Sequence, residues 1–126
     1  MLGAIAGDVI GSTYEWRPLK SLDFPLFDPQ SRFTDDTVLT VATAQAILQA
    51  SPYSDNYRDF GRLYPGAGYG GGFLRWLFSD GSPSQSWGNG AAMRVSPVGW
   101  AFDAIESVLA EAERTASITH GHPEGV

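Results

Sequence analysis

The chain contains no cysteine. Disulfide bridges, thiol catalysis and thiolate metal sites are therefore excluded. It also lacks any long hydrophobic run. A membrane-spanning helix needs about 20 consecutive apolar residues, and no such stretch or signal peptide is seen, so a cytoplasmic protein with no membrane partner is expected. Positive charge is scarce: eight Lys and Arg stand against 14 Asp and Glu, for a formal net charge of −6. With no basic patch, nucleic acid is not expected as a partner. An anionic ligand would have to be held by backbone N–H groups, a metal or a few placed cations. Strand-like alternation, internal repeats and low-complexity tracts are absent too, so the fold is expected to be all-α.

What is present suits one compact domain over residues 1–126. Hydrophobic residues make up 43% and charged residues 17%, enough for a core and unlike a disordered tail. Four Trp, five Tyr and seven Phe supply large buried areas or the lining of a ligand pocket.

The sequence is organised around Phe33-Thr34-Asp35-Asp36-Thr37, where two adjacent carboxylates between hydroxyls open a long apolar helix over residues 35–50. Asp and Thr at such a position can simply cap the helix and offset its dipole. The same residues are also the hard oxygen donors that Mg²⁺ or Mn²⁺ prefers. The helix itself is nearly apolar all round, which predicts a central, buried element.

Upstream, Gly3, Gly7 and Gly11 recur every fourth residue. On a helix they share one face, and the expected use is tight packing against a neighbour, since each glycine costs roughly 1 kcal/mol of helix propensity. Asp8 on that helix needs a partner or a cavity. Glu15, seven residues on, would align with Asp8 if the helix continued, and its neighbours Tyr14 and Trp16 offer an apolar setting. Residues 17–33, with Pro18, Pro25 and Pro29, read as a surface loop.

Downstream, residues 54–64 read as an amphipathic helix with Tyr57, Phe60 and Tyr64 inward, ended by Pro65-Gly66. Five glycines between Gly66 and Gly72 then lead into an aromatic helix, either as a flexible linker or as close-approach backbone presenting N–H groups to an anion. A turn over 79–86 precedes Trp87-Gly88-Asn89-Gly90, where Gly-Asn-Gly is a turn signal that, with Ser86 and Arg94, could also hold a phosphate. Residues 102–118 read as a helix with Ile105, Val108, Leu109, Ala112 and Ala116 inward and Asp103, Glu106, Glu111, Glu113 and Arg114 solvated. A His120-Gly-His122 pair lies near the end.

Five segments in this order resemble the ADP-ribosylglycohydrolase family, which includes the dinitrogenase-reductase-activating glycohydrolases: GAIAGDVIGSTYE at 3–15, FTDDT at 33–37, YGGGF at 69–73, SWGNGAAMRVSPVG at 86–99 and THGHPEG at 119–125. The resemblance implies an all-helical bundle with a two-ion Mg²⁺ or Mn²⁺ centre that removes ADP-ribose from modified side chains or small ADP-ribosyl compounds. By position, Thr34, Asp35 and Asp36 match the first group of metal ligands, with the two aspartates committed to catalysis through the metal. Glu15 matches a mobile glutamate near the scissile bond and is the candidate acid or base. Ser86, Trp87, Gly88 and Asn89 match the loop around the diphosphate and ribose; Gly70 and Gly71 match a glycine turn lining the site; His120 matches a ligand-contacting histidine. His122 has no such counterpart.

The family's second metal-ligand motif lies in a C-terminal portion that is not among these 126 residues. The resemblance therefore implies the N-terminal part of one such domain, incomplete at its C-terminus and completed by a second polypeptide. A non-catalytic ADP-ribose-binding fragment or pseudoenzyme is the alternative.

Overall fold

The structure, a computed structural model, describes residues 1–79 and 81–126. Asp80, within the turn expected over 79–86, lies outside the described residues. The α-helices found there are α1 (Leu2–Gly11), α2 (Asp35–Gln49), α3 (Tyr53–Leu63), α4 (Gly71–Leu77), α5 (Val98–Ala101) and α6 (Ile105–Ala116), with 3-10 turns at Ala92–Arg94 and Pro123–Gly125. Among the described residues the only strand-type pairing is an isolated bridge between Ser84 and His120. The all-α expectation holds.

α2 is the axis of the molecule. Val38, Leu39, Ala42 and Ala46 are buried with Tyr53 and Tyr57 of α3, Tyr69, and Trp76 and Leu77 of α4 in one core. Its hydroxyls fit because each finds a partner: buried Thr43 Oγ1 donates to the Leu39 carbonyl at 2.8 Å and lies 3.0 Å from the Tyr57 hydroxyl. α3 meets α4 at Gly61, where a Cβ would stand 3.1 Å from Leu77 Cδ1. α2 stops at Ala50, a left-handed cap with φ 49° whose N–H returns to the Ala46 and Ile47 carbonyls.

Several expectations are corrected. Among the described residues the glycine face of α1 packs against nothing: a Cβ at Gly3, Gly7 or Gly11 would meet none of their atoms within 4 Å, and no residue of α1 is buried. α1 also ends at Gly11, because Ser12 turns back to donate its hydroxyl to the Val9 carbonyl and residues 12–16 form turns. Asp8 and Glu15 thus share no continuous helix face, and Glu15 and Trp16 are both exposed. Tyr64 follows the last turn of α3 and is exposed, its ring edge-on to Phe33 at 5.5 Å.

The helix expected over 102–118 begins at Ile105. Ile105 and Leu109, expected inward, are each 62% exposed. Glu111, expected to be solvated, instead accepts the Tyr53 hydroxyl at 2.7 Å. The outward-facing Ile105 and Leu109 join Leu2, Leu48 and Trp100 as exposed large apolar side chains. Met1, Ile47, Leu48, Pro97 and Trp100 together border a shallow, nearly apolar hollow.

Candidate functional site at the N-terminus of α2

The first turn of α2 is held from another helix. The Thr34 hydroxyl makes no capping bond of its own. The Asp8 carboxylate on α1 does that work. Oδ1 accepts the Thr34 hydroxyl at 2.5 Å; Oδ2 accepts the Thr34 N–H at 2.7 Å, the Thr37 N–H at 3.2 Å and the Thr37 hydroxyl at 2.5 Å. The Asp35 N–H goes to the Ala67 carbonyl at 2.9 Å. Asp8 therefore supplies the anion that a helix N-terminus favours. Residue types alone left capping and metal ligation open for this stretch, and the cap has now been assigned largely to Asp8.

Asp35 and Asp36 open onto two different cavities. Asp36 lines a cleft of about 480 Å³ with Thr34, Thr40, Asp8, Glu15, Gly7 and Gly11. Asp35 lines a smaller cavity of about 180 Å³ with Gly70, Gly72, Ser86, Gly88, Asn89 and His120. Asn89 and Met93 border both, so the two cavities share a wall. The open glycine face of α1 is one wall of the larger cleft. Glu15 stands at that wall, exposed.

The charges here are not independent. Burial pushes the Asp35 carboxyl up to about 6; the neighbouring Asp36 adds to this, and Glu15 and Asp8 add further. Asp36 is raised as well, first by burial and then by Asp8 and Glu15. Beside Asp35, the Tyr69 hydroxyl is buried without a hydrogen-bond partner among the described residues, and burial plus the Asp35 charge push it up to about 12. Among the described residues no group of three or more His, Asp or Glu is arranged to hold a metal ion. The hard oxygen donors Thr34, Asp35 and Asp36 all come from one end of α2, with Thr34 and Asp36 on the cleft and Asp35 on the smaller cavity.

The loop wall follows. The Ser86 hydroxyl accepts the Gly88 N–H at 3.2 Å, closing a tight turn before Asn89. Trp87 is 72% exposed with its ring 5.6 Å from His122. Gly70 precedes α4 and Gly71 begins it; Gly72, rather than Gly71, lines the cavity with Gly70. Gly68 has φ +103°, and its ideal Cβ would lie 3.6 Å from Asp35 Oδ1. The positive φ, more than the space, is what calls for glycine there.

His120 is buried beneath the loop. Its Nδ1 lies 2.8 Å from Thr119 Oγ1. Burial first, and then Arg94, lower its pKa, while a hydrogen bond to the Gly88 backbone opposes them. His122 lies outside this cavity lining and accepts the Glu124 N–H at 3.2 Å.

The structure thus brings Thr34, Asp35, Asp36, Gly70, Ser86, Gly88, Asn89 and His120 to a pair of neighbouring cavities. Glu15 is placed at the rim. Trp87 lines an adjoining cavity that also touches Gly88 and Asn89. Sequence reasoning left Asp8 out of the site, although a lone carboxylate in a glycine-rich apolar helix was the signal available. Thr37, Met93 and Thr119 carried no comparable signal.

The family model described as ADP-ribosylglycohydrolase matches residues 1–126. The chain is similar to ADP-ribosylhydrolase ARH3 of Bos taurus and of Homo sapiens, each 28% identical over 161 residues, covering 99% of this chain and 44% of the relative. ADP-ribosylhydrolase ARH3 of Xenopus tropicalis is also 28% identical, with 45% of its length covered. The chain spans less than half the length of the curated relatives it matches.

Proposed function

This chain belongs to the ADP-ribosylglycohydrolase family, and on that premise we propose that it forms the N-terminal part of a metal-dependent hydrolase. The enzyme removes ADP-ribose from ADP-ribosylated side chains or small ADP-ribosyl compounds. The observation that carries this reading is the aspartate pair between two neighbouring cavities, one acidic and one walled by glycine-rich backbone. A ligand with an anionic diphosphate and a hydroxyl-rich ribose has matching needs. Backbone N–H groups suit the former, and an oxygen-ligated cation suits the latter.

The residues present fit half of a Mg²⁺ or Mn²⁺ shell. Thr34 donates its proton to Asp8, so the lone pairs of its oxygen remain for a cation. Asp35 and Asp36 repel one another and feel Asp8 and Glu15, a field that a divalent cation relieves. Thr34, Asp35 and Asp36 would hold it, and the remaining donors, including those for a second ion, would come from the part of the relatives' length that these 126 residues do not span. When bound, the metal supplies Lewis-acid polarisation and orientation of ribose and water.

The chain's own residues position and exclude. Ser86, Gly88 and Asn89 set the loop around the ligand, Gly70 allows close approach, and Trp87 offers a flat apolar surface beside it. Carboxylates around the cleft favour the positive charge that develops at the anomeric carbon. Glu15 is the acid or base candidate: it is exposed at the cleft, where a proton can exchange with water.

The one-sided ligand set favours a second reading, a non-catalytic ADP-ribose-binding fragment. The test follows ADP-ribose release from ADP-ribosylated substrates with Mg²⁺ or Mn²⁺, by the chain alone and with a relative's C-terminal portion added. Release that is lost in Asp35→Ala and in Asp36→Ala supports the hydrolase. Binding without release supports the second reading. Full activity in either variant refutes the metal assignment.

A further inference from the structure

Arg94 is almost wholly buried, 1% exposed, and no carboxylate is paired with it among the described residues. Its guanidinium lies over the Tyr57 ring, 4.3 Å from the centroid. Nη2 donates to the Thr115 carbonyl at 3.0 Å and to Thr119 Oγ1 at 2.8 Å. Thr119 Oγ1 is in turn 2.8 Å from His120 Nδ1.

The direction of these bonds can be worked out. Guanidinium N–H only donates, so Thr119 Oγ1 must accept from Arg94. A hydroxyl has one proton. Given to His120 Nδ1, it satisfies both groups; if Nδ1 carried the proton instead, the Thr119 hydroxyl, in a residue 4% exposed, would be left pointing at no acceptor. An unsatisfied buried donor is the more costly arrangement. The backbone around the pair is fixed as well: the Ser84 N–H donates to the Thr119 carbonyl at 3.2 Å, and the Gly121 N–H to the Ser84 carbonyl at 2.7 Å. On the other side of the ring, a Cβ on Gly90 would stand 3.4 Å from Cε1 and 3.6 Å from Nε2. Nε2 therefore lies beside the glycine loop, in the wall of the smaller cavity.

We propose that Arg94 and Thr119 form a buried relay that holds His120 neutral with its proton on Nε2, so that the ring turns a fixed N–H donor towards the Gly88 backbone of the glycine loop. Arg94 and Thr119 are positioning residues, since they act through His120. The consequence for binding rests on the reading that this cavity takes ADP-ribose: the fixed N–H holds the Gly88 backbone of the loop that would surround the ligand.

The experiment is long-range ¹H–¹⁵N correlation NMR of the chain at pH 7, with His122→Gln removing the only other imidazole. The expected wild-type spectrum shows a single neutral Nε2–H form of His120. An Nδ1–H form or an imidazolium overturns the relay. Thr119→Ser keeps the oxygen and is expected to keep the tautomer; Thr119→Val removes it and is expected to populate both tautomers and to weaken ADP-ribose binding up to roughly ten-fold. Unchanged tautomers in Thr119→Val, or mixed ones in Thr119→Ser, also overturn it. Absence of ADP-ribose binding to the wild type would count against the proposed function alone, because the tautomer is read without ligand.

Discussion

Asp8→Asn tests whether the α1 carboxylate really holds the start of α2. In the native protein Oδ2 accepts three hydrogen bonds and Oδ1 one. Asparagine keeps one oxygen, which would turn to the three-donor side. Its NH₂ would then face Thr34 Oγ1, whose hydroxyl must reverse. The three surviving bonds fall from charge-assisted to neutral, about 1 kcal/mol each. Loss of the anion at the helix N-terminus adds a further 0.3–1 kcal/mol or so. Two effects work the other way. Asp8 raises the pKa of both Asp35 and Asp36, so neutralising it relieves repulsion, and the site is partly open to solvent, which weakens every charge term. The net expectation is a loss of about 2 kcal/mol, a large share of a small domain's 5–15 kcal/mol or so. Urea unfolding at pH 7, followed by far-UV circular dichroism, should show a lower midpoint with an unchanged slope. A double-mutant cycle with Thr37→Val should show coupling of about 1 kcal/mol. A loss below about 0.5 kcal/mol, or no coupling, would refute the clamp.

Two further outcomes are expected. Because the folded pKa of Asp35 is raised from 3.8 to about 6, its contribution to stability is fully present below pH 3.8 and is lost as pH rises through 6; thermal unfolding should therefore show Mg²⁺ or Mn²⁺ raising the midpoint at pH 7 and leaving it unchanged at pH 4, and equal shifts at both pH values would remove the cation from the aspartate pair. Gly125→Ala would place a Cβ 2.4 Å from the Ser86 carbonyl and 3.1 Å from Trp87 Cα, so it should displace the 86–88 loop and weaken ADP-ribose binding roughly ten-fold as read by calorimetry, whereas native affinity would show that the loop yields without cost.

The fold was legible where one signal dominated. α2 has few polar residues and a clear start, and it runs within a residue of its expected span. α4 follows its glycines as expected. The Gly3-Gly7-Gly11 face misled because spacing reports which residues share a face and not what the face meets; here it meets a cleft. The apolar positions of α6 misled likewise: periodicity shows that Ile105 and Leu109 share a face, but among the described residues that face has no neighbour to bury it. For the site, the adjacent aspartates were visible by residue type. The Asp8 clamp spans 26 residues or more, and the Arg94–Thr119 contact spans 25. Tertiary hydrogen bonds of that kind leave no periodic trace in a single sequence.

Successive side chains on an α-helix are turned by about 100° from one another. Asp36 and Thr40 therefore form one stripe of α2 and Asp35 and Leu39 the next, and each stripe faces its own cavity. The partition of the site is a question of phase along a screw. A single residue inserted between Thr34 and Asp35 would rotate everything after it by that angle, bringing Asp35 and Leu39 to the larger cleft and leaving the smaller cavity with the inserted residue and Val38. Residues 17–33 carry no such phase, since they form no helix. Changes in chain length can be absorbed there, whereas the first turn of α2 must keep its count.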